Sequence, residues 1–316
     1  MVQFDFAQMD KPLTFAMSEQ NRNIHTVALE AEGTLSTWTF VLASDIHWDS
    51  PCCDREKWDR TLRDAAANGW GVLMFGDSYD LMAGRYDPRR SRRDVRPEFD
   101  HADYLDAVID GFSDWHNERN QNGNILLLSR GNHEESVRKN CDTDPIARTV
   151  ALMNRSGPMK TFAGGYGGWV RFCAKVFNQR YSLTLKYFHG SGGASLMSHG
   201  GMVVRRHAAV QPDADVVCTG HIHRRWVIPI ARERLYVHAK SGPQIIRDTQ
   251  YHVCCGGMKN EFKDGSEGWS VERDLPPMET GCVLMRLHFV RDQVRGPSTG
   301  RSETRYRLAP EFILPT

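Results

Sequence analysis

What the 316-residue sequence lacks narrows its class first. No apolar run approaches the roughly 20 residues that a membrane-spanning helix requires, so no membrane partner is expected. Net charge is almost absent: 40 Lys and Arg against 39 Asp and Glu leave +1. No global field therefore draws the chain toward nucleic acid or lipid, although a local patch can. None of the eight cysteines forms a Cys-x-x-Cys, and two adjacent pairs, Cys52-Cys53 and Cys254-Cys255, stand out. The first residues, MVQFDFAQMDKPLTF, carry early acids and no apolar core, unlike an export signal. The cysteines are expected as free thiols in a reducing compartment, and the chain as cytoplasmic. No internal repeat and no low-complexity tract is present. What remains is an ordinary globular balance, 40% hydrophobic and 25% charged, which excludes a collagen-like or wholly disordered chain. A chain of this length can bury its own core without staples.

The first half alternates strand and helix. Residues 1–34 are weakly patterned and read as an irregular lead-in, with a single domain over 35–316. Thr37–Ala43 is β-branched and aromatic and ends in Ser44-Asp45, the pattern of a buried strand. A helix fits Asp54 to Ala67, stopped by Asn68-Gly69. Gly71–Phe75 is a second short strand. Helical spacing of Leu105, Val108, Ile109, Phe112 and Trp115 marks a helix over Asp103–Glu118. Asn124–Leu128 is a third strand, and Asp144-Pro145 starts a further helix. The second half reads as β: Leu183–Phe188, Asp215–Thr219, Trp226–Ile230, Arg234–Ala239 and Cys282–Val290. The core pattern pauses over Arg85–Asp100 and Gly256–Thr280, which read as long loops, and loops of that length are usually functional. The fold class is α/β.

Five of these strands run into polar residues of metal-ligating type. They are Asp45-x-His47, Gly76-Asp77-x-x-Asp80, Gly131-Asn132-His133-Glu134, His189 and Gly220-His221-x-His223. In α/β sheets the carboxyl ends of strands are where loops converge and ligands bind. Five strands delivering Asp, His and Asn to one edge would gather about seven nitrogen and oxygen ligands, a set that suits two divalent cations. No cysteine adjoins these motifs, which argues against a structural zinc site. Any one of the motifs alone is more often a strand end with a surface His or a solvated acid, and Asp80 and Glu134 are open to that reading. It is the ordered set that is specific.

That ordered set, DxH, GDxxD, GNHE, H and GHxH, resembles the signature of calcineurin-like metallophosphoesterases, over about residues 37–240. The resemblance implies two packed mixed β-sheets flanked by helices in four layers. It also implies a dinuclear metal-dependent hydrolase in which a metal-bridged hydroxide attacks a phosphoester in line with the leaving oxygen. Asp45, His47 and His223 would hold the first ion, Asn132, His189 and His221 the second, and Asp77 would bridge them. Two ions about 4 Å apart activate a shared water and clamp phosphate oxygens. Mn²⁺ is the first expectation for the metal, with Fe, Zn, Ni or Mg as alternatives. His133 would serve as the acid toward the leaving group, and Asp80 would accept a hydrogen bond from His133 and fix its tautomer.

The segment after Asp80 holds six arginines in the twelve residues from Arg85 to Arg96. Arginine forks bind phosphate bidentately, so Arg85, Arg89 and Arg90, with Arg130 beside Asn132, are candidate substrate contacts. The bland alternative is a solvated loop whose arginines pair with Asp87, Asp94, Glu98 and Asp100. Tyr86, Phe99, Tyr104 and Trp226 are candidates for stacking on bases or, equally, core anchors. A phosphodiesterase on nucleic acid or a nucleotide is the leading expectation. A phosphomonoesterase on a small molecule or phosphoprotein, and a non-catalytic scaffold, are the alternatives.

Overall fold

The computed structural model describes residues 13–31, 36–82, 95–156, 160–176, 178–192, 201–238, 242–262, 269–272, 277–295 and 302–315. Two mixed sheets dominate it. One runs in the order β1 (Phe15–Asn21), β2 (Ile24–Leu29), β7 (Gly167–Val176), β8 (Gln179–Phe188), β9 (Val216–Thr219), β11 (Gly242–Cys255) and β10 (Arg225–His238). The other runs β13 (Ser302–Ile313), β12 (Val283–Arg295), β3 (Thr37–Ala43), β4 (Gly71–Phe75), β5 (Ile125–Ser129) and β6 (Phe162–Ala163). β3, β4, β5 and β6 pair in parallel. β4 and β5 are buried at every position. Such continuous apolar runs suit a parallel sheet covered on both faces.

Each face of the six-stranded sheet has its own core. Phe40 and Leu42 of β3 point toward the seven-stranded sheet, where Phe40 meets Phe172 with ring centroids 4.8 Å apart and Phe75 stacks on Tyr187 at 5.1 Å. Val41 and Ala43 point the other way, with Val72 and Met74, into a layer of helices. That layer contains α1 (Arg55–Asn68), α2 (Tyr104–Asn117), α3 (Asn132–Cys141) and α4 (Pro145–Ser156), and Trp58, Leu62, Ile109 and Phe112 fill the interface. On the opposite side, α5 (Gly201–Val210) covers the seven-stranded sheet: His207 meets Phe188 edge-on at 6.1 Å, on the face away from Leu185 and Tyr187. The result is four layers, as the resemblance implied. α1 starts where expected because the Asp54 side chain accepts from the Lys57 amide. It ends at Gly69, whose φ of 66° is the left-handed conformation that glycine adopts freely.

Three expectations are corrected. Residues 15–29, within the supposed irregular lead-in, form the β1–β2 hairpin, and Phe15, Val27 and Leu29 enter the core between the sheets. Its polar run Ser18–Asn21 hides the strand pattern because β1 is an edge strand with one exposed flank. The segment Trp226–Ile230 and residues 234–238 of the expected strand Arg234–Ala239 belong to one 14-residue strand, β10, and Ala239 lies outside the described residues. Pro229 sits inside it because β10 is the sheet edge, where a missing N–H breaks no ladder. Finally, β7, β11, β13 and α5 are additional elements with no counterpart in the sequence reading.

His116 is fully buried in α2, donating from Nδ1 to the Phe112 carbonyl and accepting at Nε2 from the Trp58 indole 3.0 Å away. Burial pushes its pKa down to about 3, against an unfolded value of about 6.5. Between those values the unfolded chain takes up a proton that the fold refuses, so stability is full above the unfolded value and falls as pH drops. From pH 7 to pH 5 the contribution lost is about 2 kcal/mol. Denaturant unfolding of wild type and His116→Gln at both pH values is expected to show a smaller loss in the variant by about that amount. Equal losses would refute the assignment.

Candidate metal centre

Every sequence-nominated ligand lies just beyond the carboxyl end of a strand. Asp45 and His47 follow β3, Asp77 follows β4, Asn132 and His133 follow β5, His189 follows β8, and His221 and His223 follow β9. The two sheets thus contribute to one rim. Turning the side chains inward distorts the backbone. Asp45, His47, Asp77, His221 and His223 all adopt positive φ, from 48° to 71°. Such left-handed conformations cost non-glycine residues on the order of 1 kcal/mol or more each and cluster at functional sites. Two glycines permit the closest approaches. A Cβ on Gly131 would lie 2.0 Å from Asp77 Oδ1, and one on Gly220 would lie 1.9 Å from Ser44 Oγ.

Among the described residues three groups of donors result that could hold a metal ion; two consist of nominated ligands, and the third, His47, Asp80 and His133, shares His47 with the first. In the first, Asp45, His47 and His223 converge, with His47 Nε2 3.2 Å from His223 Nε2 and His223 Nε2 3.5 Å from Asp45 Oδ1. In the second, Asp77, His189 and His221 converge, with His189 Nε2 3.1 Å from Asp77 Oδ2. Asn132 Oδ1 joins the second group, 3.2 Å from His189 Nε2 and 2.7 Å from His221 Nδ1. The two groups touch, because His189 Nε2 is 3.9 Å from Asp45 Oδ1.

The hydrogen bonds on the far side of each ring decide what faces inward. His47 Nδ1 is 2.8 Å from Asp80 Oδ1, and His189 Nδ1 is 3.0 Å from the Phe75 carbonyl. A carboxylate and a carbonyl only accept, so both Nδ1 atoms carry hydrogen and both Nε2 atoms are the positions turned to the centre. The centre is therefore a cluster of carboxylate, amide and imidazole groups that draws positive charge, as protons or as metal ions. Its electrostatics say the same. Burial lowers the His189 pKa, but the Asp77 and Asp45 carboxylates outweigh it and raise it to about 10. Burial pushes the Asp77 carboxyl up, yet His189 and His133 hold it well below the usual carboxylate range. Oxygen and imidazole donors without a thiolate fit a borderline transition metal and not an all-oxygen calcium cage.

His133 stands beside the donors. Its Nδ1 donates to the Asp80 backbone carbonyl, and its Nε2 is 3.8 Å from Asp77 Oδ2. Asp80 is placed differently from expectation. Its carboxylate does not receive His133. Oδ1 takes His47 Nδ1 and, at 3.0 Å, the Lys259 ammonium, so Asp80 orients a ligand through its carboxylate and the candidate acid through its backbone carbonyl. The turn after β4 aims the Asp80 carbonyl at His133 and its side chain at His47, a distinction that the GDxxD spacing does not encode.

Two buried carboxylates and a half-buried ammonium support the rim, and none was nominated as a site residue. Glu134 is fully buried; its oxygens accept from the amides of Asp77, Tyr79 and Gly131 at 3.1, 3.1 and 2.7 Å, tying the loops after β4 and β5 together. It is not a solvated acid. Asp49 accepts from the Asp80 and Leu81 amides and from Tyr104 Oη at 2.6, 2.9 and 2.7 Å. Lys259 bridges Asp80 and Glu261. Asp49 extends DxH by two residues and could have been noticed. Lys259 lies in the segment read as a long loop and carries no local signal.

The remaining candidates divide. Arg85, Arg89 and Arg90, with Tyr86, lie outside the described residues. Arg96, the described arginine of that segment, bonds the Ser50 and Cys53 carbonyls and serves the loop's own structure. Phe99 packs on Trp48 at 5.3 Å and Tyr104 bonds Asp49, so both are core anchors and not stacking platforms. Two grooves adjoin the centre. One, of 530 Å³, is lined by Arg130, Asn132, Glu135, Ser136, Lys139 and Tyr166 among others. The other, of 560 Å³, is lined by His223, Arg224, Trp226, Met278 and Leu314 among others.

No family model matches the chain, and no curated protein does. Among solved structures, Vps29 of Chaetomium thermophilum is similar over 86% of this chain and 96% of its own, with 11% identity and a TM-score of 0.31. A conserved uncharacterized protein of Streptococcus pneumoniae, a predicted phosphoesterase, is similar over 86% of this chain and 99% of its own, with 10% identity and a TM-score of 0.29. The chemistry rests on the site itself. No helix among the described residues is long and apolar enough to cross a membrane.

Replacing Asp80 by Asn tests its orienting role. An amide cannot hold the His47 tautomer as firmly, so affinity for the ion at Asp45, His47 and His223 is expected to fall about 10–100-fold, the usual cost of losing such a partner. Titration of the metal-stripped protein with Mn²⁺ reads this directly. Unchanged affinity would show that Asp80 serves only Lys259.

Proposed function

We propose that the chain is a dinuclear metal-dependent phosphoester hydrolase that cleaves a phosphodiester in a nucleic acid or nucleotide. The observation that carries this reading is the convergence of nitrogen and oxygen atoms from seven residues, four of them buried, with an imidazole beside them that is not needed as a ligand. Asp45, His47 and His223 hold one divalent cation and Asn132, His189 and His221 the other, with Asp77 shared. Two such ions, Mn²⁺ by preference, supply an activated water and neutralise charge on the phosphoryl oxygens.

The chain's own residues do the rest. His47 and His189 keep Nε2 free for the ions because Asp80 and the Phe75 carbonyl hold the other ring nitrogen. His133 keeps its Nδ1 hydrogen on the Asp80 carbonyl, which leaves Nε2 to carry the proton for the departing oxygen. The rim of β-strand ends fixes these groups before substrate arrives, which is where electrostatic catalysis gains most. A binding scaffold would have no use for Asp45, His47, Asp77 and His189 all buried together, since each ionisable group so placed destabilises the fold unless compensated. The diester preference has two supports. The Arg85–Arg96 segment concentrates positive charge next to Asp80 in an otherwise neutral chain. Separate grooves also leave the centre from Asn132 and from His223. A diester carries a substituent on each side of phosphorus, whereas a monoester carries one.

Purified protein with Mn²⁺, assayed on bis-p-nitrophenyl phosphate, p-nitrophenyl phosphate, cyclic nucleotides and DNA, is expected to favour diesters; exclusive monoesterase activity would overturn that preference. Asp77→Asn is expected to weaken occupancy of both sites by elemental analysis, and full two-ion occupancy would remove the bridge. His133→Ala is expected to keep its metal and lose about 10²–10⁴-fold in turnover, the usual range for a general acid. The loss should be smaller for p-nitrophenol esters, whose leaving group scarcely needs a proton. Equal losses on good and poor leaving groups would rule out proton donation.

A further inference from the structure

The groove that leaves the centre at Asn132 follows one face of α3. Asn132, Glu135, Ser136, Lys139 and Asn140 recur at helical spacing along it. Lys139 is seven residues from the ligand Asn132, about 10 Å along the helix axis. That is too far to serve the scissile group and within reach of a neighbouring one. Arg130, which precedes the ligand loop, closes the groove beside Tyr166, whose hydroxyl is fixed on the Gly190 carbonyl at 2.7 Å.

The charges in this groove are unevenly satisfied. Arg130 is only 8% exposed, and its Nε and Nη1 have no hydrogen-bond partner among the described residues. The acids nearest it are Glu135, 3.3 Å from Nη1, and Asp144 at 3.6 Å, and both also serve other arginines, Arg138 and Arg22. Lys139 is exposed and has no ion-pair partner among the described residues. A buried guanidinium with spare donors costs stability unless an anion completes it. A guanidinium and an ammonium lining one polar groove beside a phosphoester centre are matched by phosphate oxygens.

We propose that this groove is the subsite for a second phosphate of the substrate, held between Arg130 and Lys139, so that the preferred substrate is an oligonucleotide and not an isolated phosphoester. The inference rests on the hydrolase reading above and names what lies on the Asn132 side of the scissile bond. The scissile group sits at the donors, and the strand continues along α3 with its next phosphate at the cationic pair. Glu135 turns away toward Arg138 when the phosphate takes its place on Arg130.

The test compares thymidine dinucleotides carrying an added phosphate at the 5′ end, at the 3′ end or at neither, together with the plain trinucleotide. With Mn²⁺ the wild type is expected to prefer one phosphorylated dinucleotide over the plain one, and to prefer the trinucleotide if an internal phosphate fills the subsite as well as a terminal one. Lys139→Ala is expected to shrink that preference about 5-fold, the scale of one partly exposed charge contact, chiefly through KM and less at high salt. Lys139→Glu is expected to abolish it. Lys139 is an exposed helix residue, so both variants should fold. A wild type with no such preference, or variants that keep it, would overturn the subsite. Calorimetric binding of the same dinucleotides to manganese-loaded His133→Ala protein reads the groove without turnover. Binding that depends on the added phosphate and on Lys139, in a chain that hydrolyses no ester, would retain the subsite and refute the hydrolase. Hydrolysis without any Lys139-dependent preference would do the reverse.

Discussion

Carboxylate, amide and imidazole groups facing one another across a space of 3 to 4 Å are the constraint on which the rest of this structure depends. His47 Nε2, His189 Nε2, Asp45, Asp77 and Asn132 Oδ1 all face this space. Left alone, such a cluster would push apart or collect protons, and the raised His189 pKa shows how strongly it draws positive charge. The surrounding chain resists relaxation in the other direction. Five of the donors sit in left-handed backbone, and Gly131 and Gly220 allow contacts that any side chain would block. Backbone strain of this kind persists where the environment over-determines it.

That environment is carboxylates binding backbone, not carboxylates binding metal. Glu134 gathers three amides from the loops after β4 and β5, and Asp49 gathers two from the turn that carries Asp80. Each amide so held is one that the tight turns leave without a ladder partner. Burial raises the Glu134 pKa to about 7, because the charge is compensated by dipoles and not by a cation. The acids of this rim thus have separate tasks. Asp45 and Asp77 face the centre, Asp80 holds an imidazole and an ammonium, and Glu134 and Asp49 hold the chain.

The motifs were legible in the sequence because each combines an apolar strand with a polar end, a local pattern that needs no knowledge of the partner strands. The five strands behind them, α1 and α2 were legible for the same reason. Asp80 accepts from His133 as expected, but through its carbonyl, and its carboxylate serves His47 as well, since whether a side chain or its own carbonyl points at His133 depends on a turn and not on spacing. Lys259 was invisible: it reaches the centre because β11 pairs with β9 and delivers the following loop there, a contact between distant segments. β1 and β13 escaped because they alternate polar and apolar residues weakly, as edge strands can, whereas β7, an interior strand, alternates regularly at Val170, Phe172, Ala174 and Val176 and was passed over.

The ligands are divided between the two sheets, and this links the site to the fold. Asp45, His47, Asp77 and Asn132 follow strands of the six-stranded sheet, while His189, His221 and His223 follow strands of the seven-stranded one. The groups Asp45, His47, His223 and Asp77, His189, His221 each contain residues from both. Among the described residues the sheets are also tied by the apolar layer that includes Phe40, Phe75, Phe172 and Tyr187, an interaction without directional preference. Ions bound at the rim would pin the register of one sheet on the other at the very edge where substrate enters. Because the unfolded chain cannot assemble such donors, cation binding adds to stability in proportion to the logarithm of concentration over Kd. Metal affinity and sheet-to-sheet register are then two readings of one free energy. A substitution between the sheets, far from any donor, should weaken metal binding by as much as it lets the two rims drift apart.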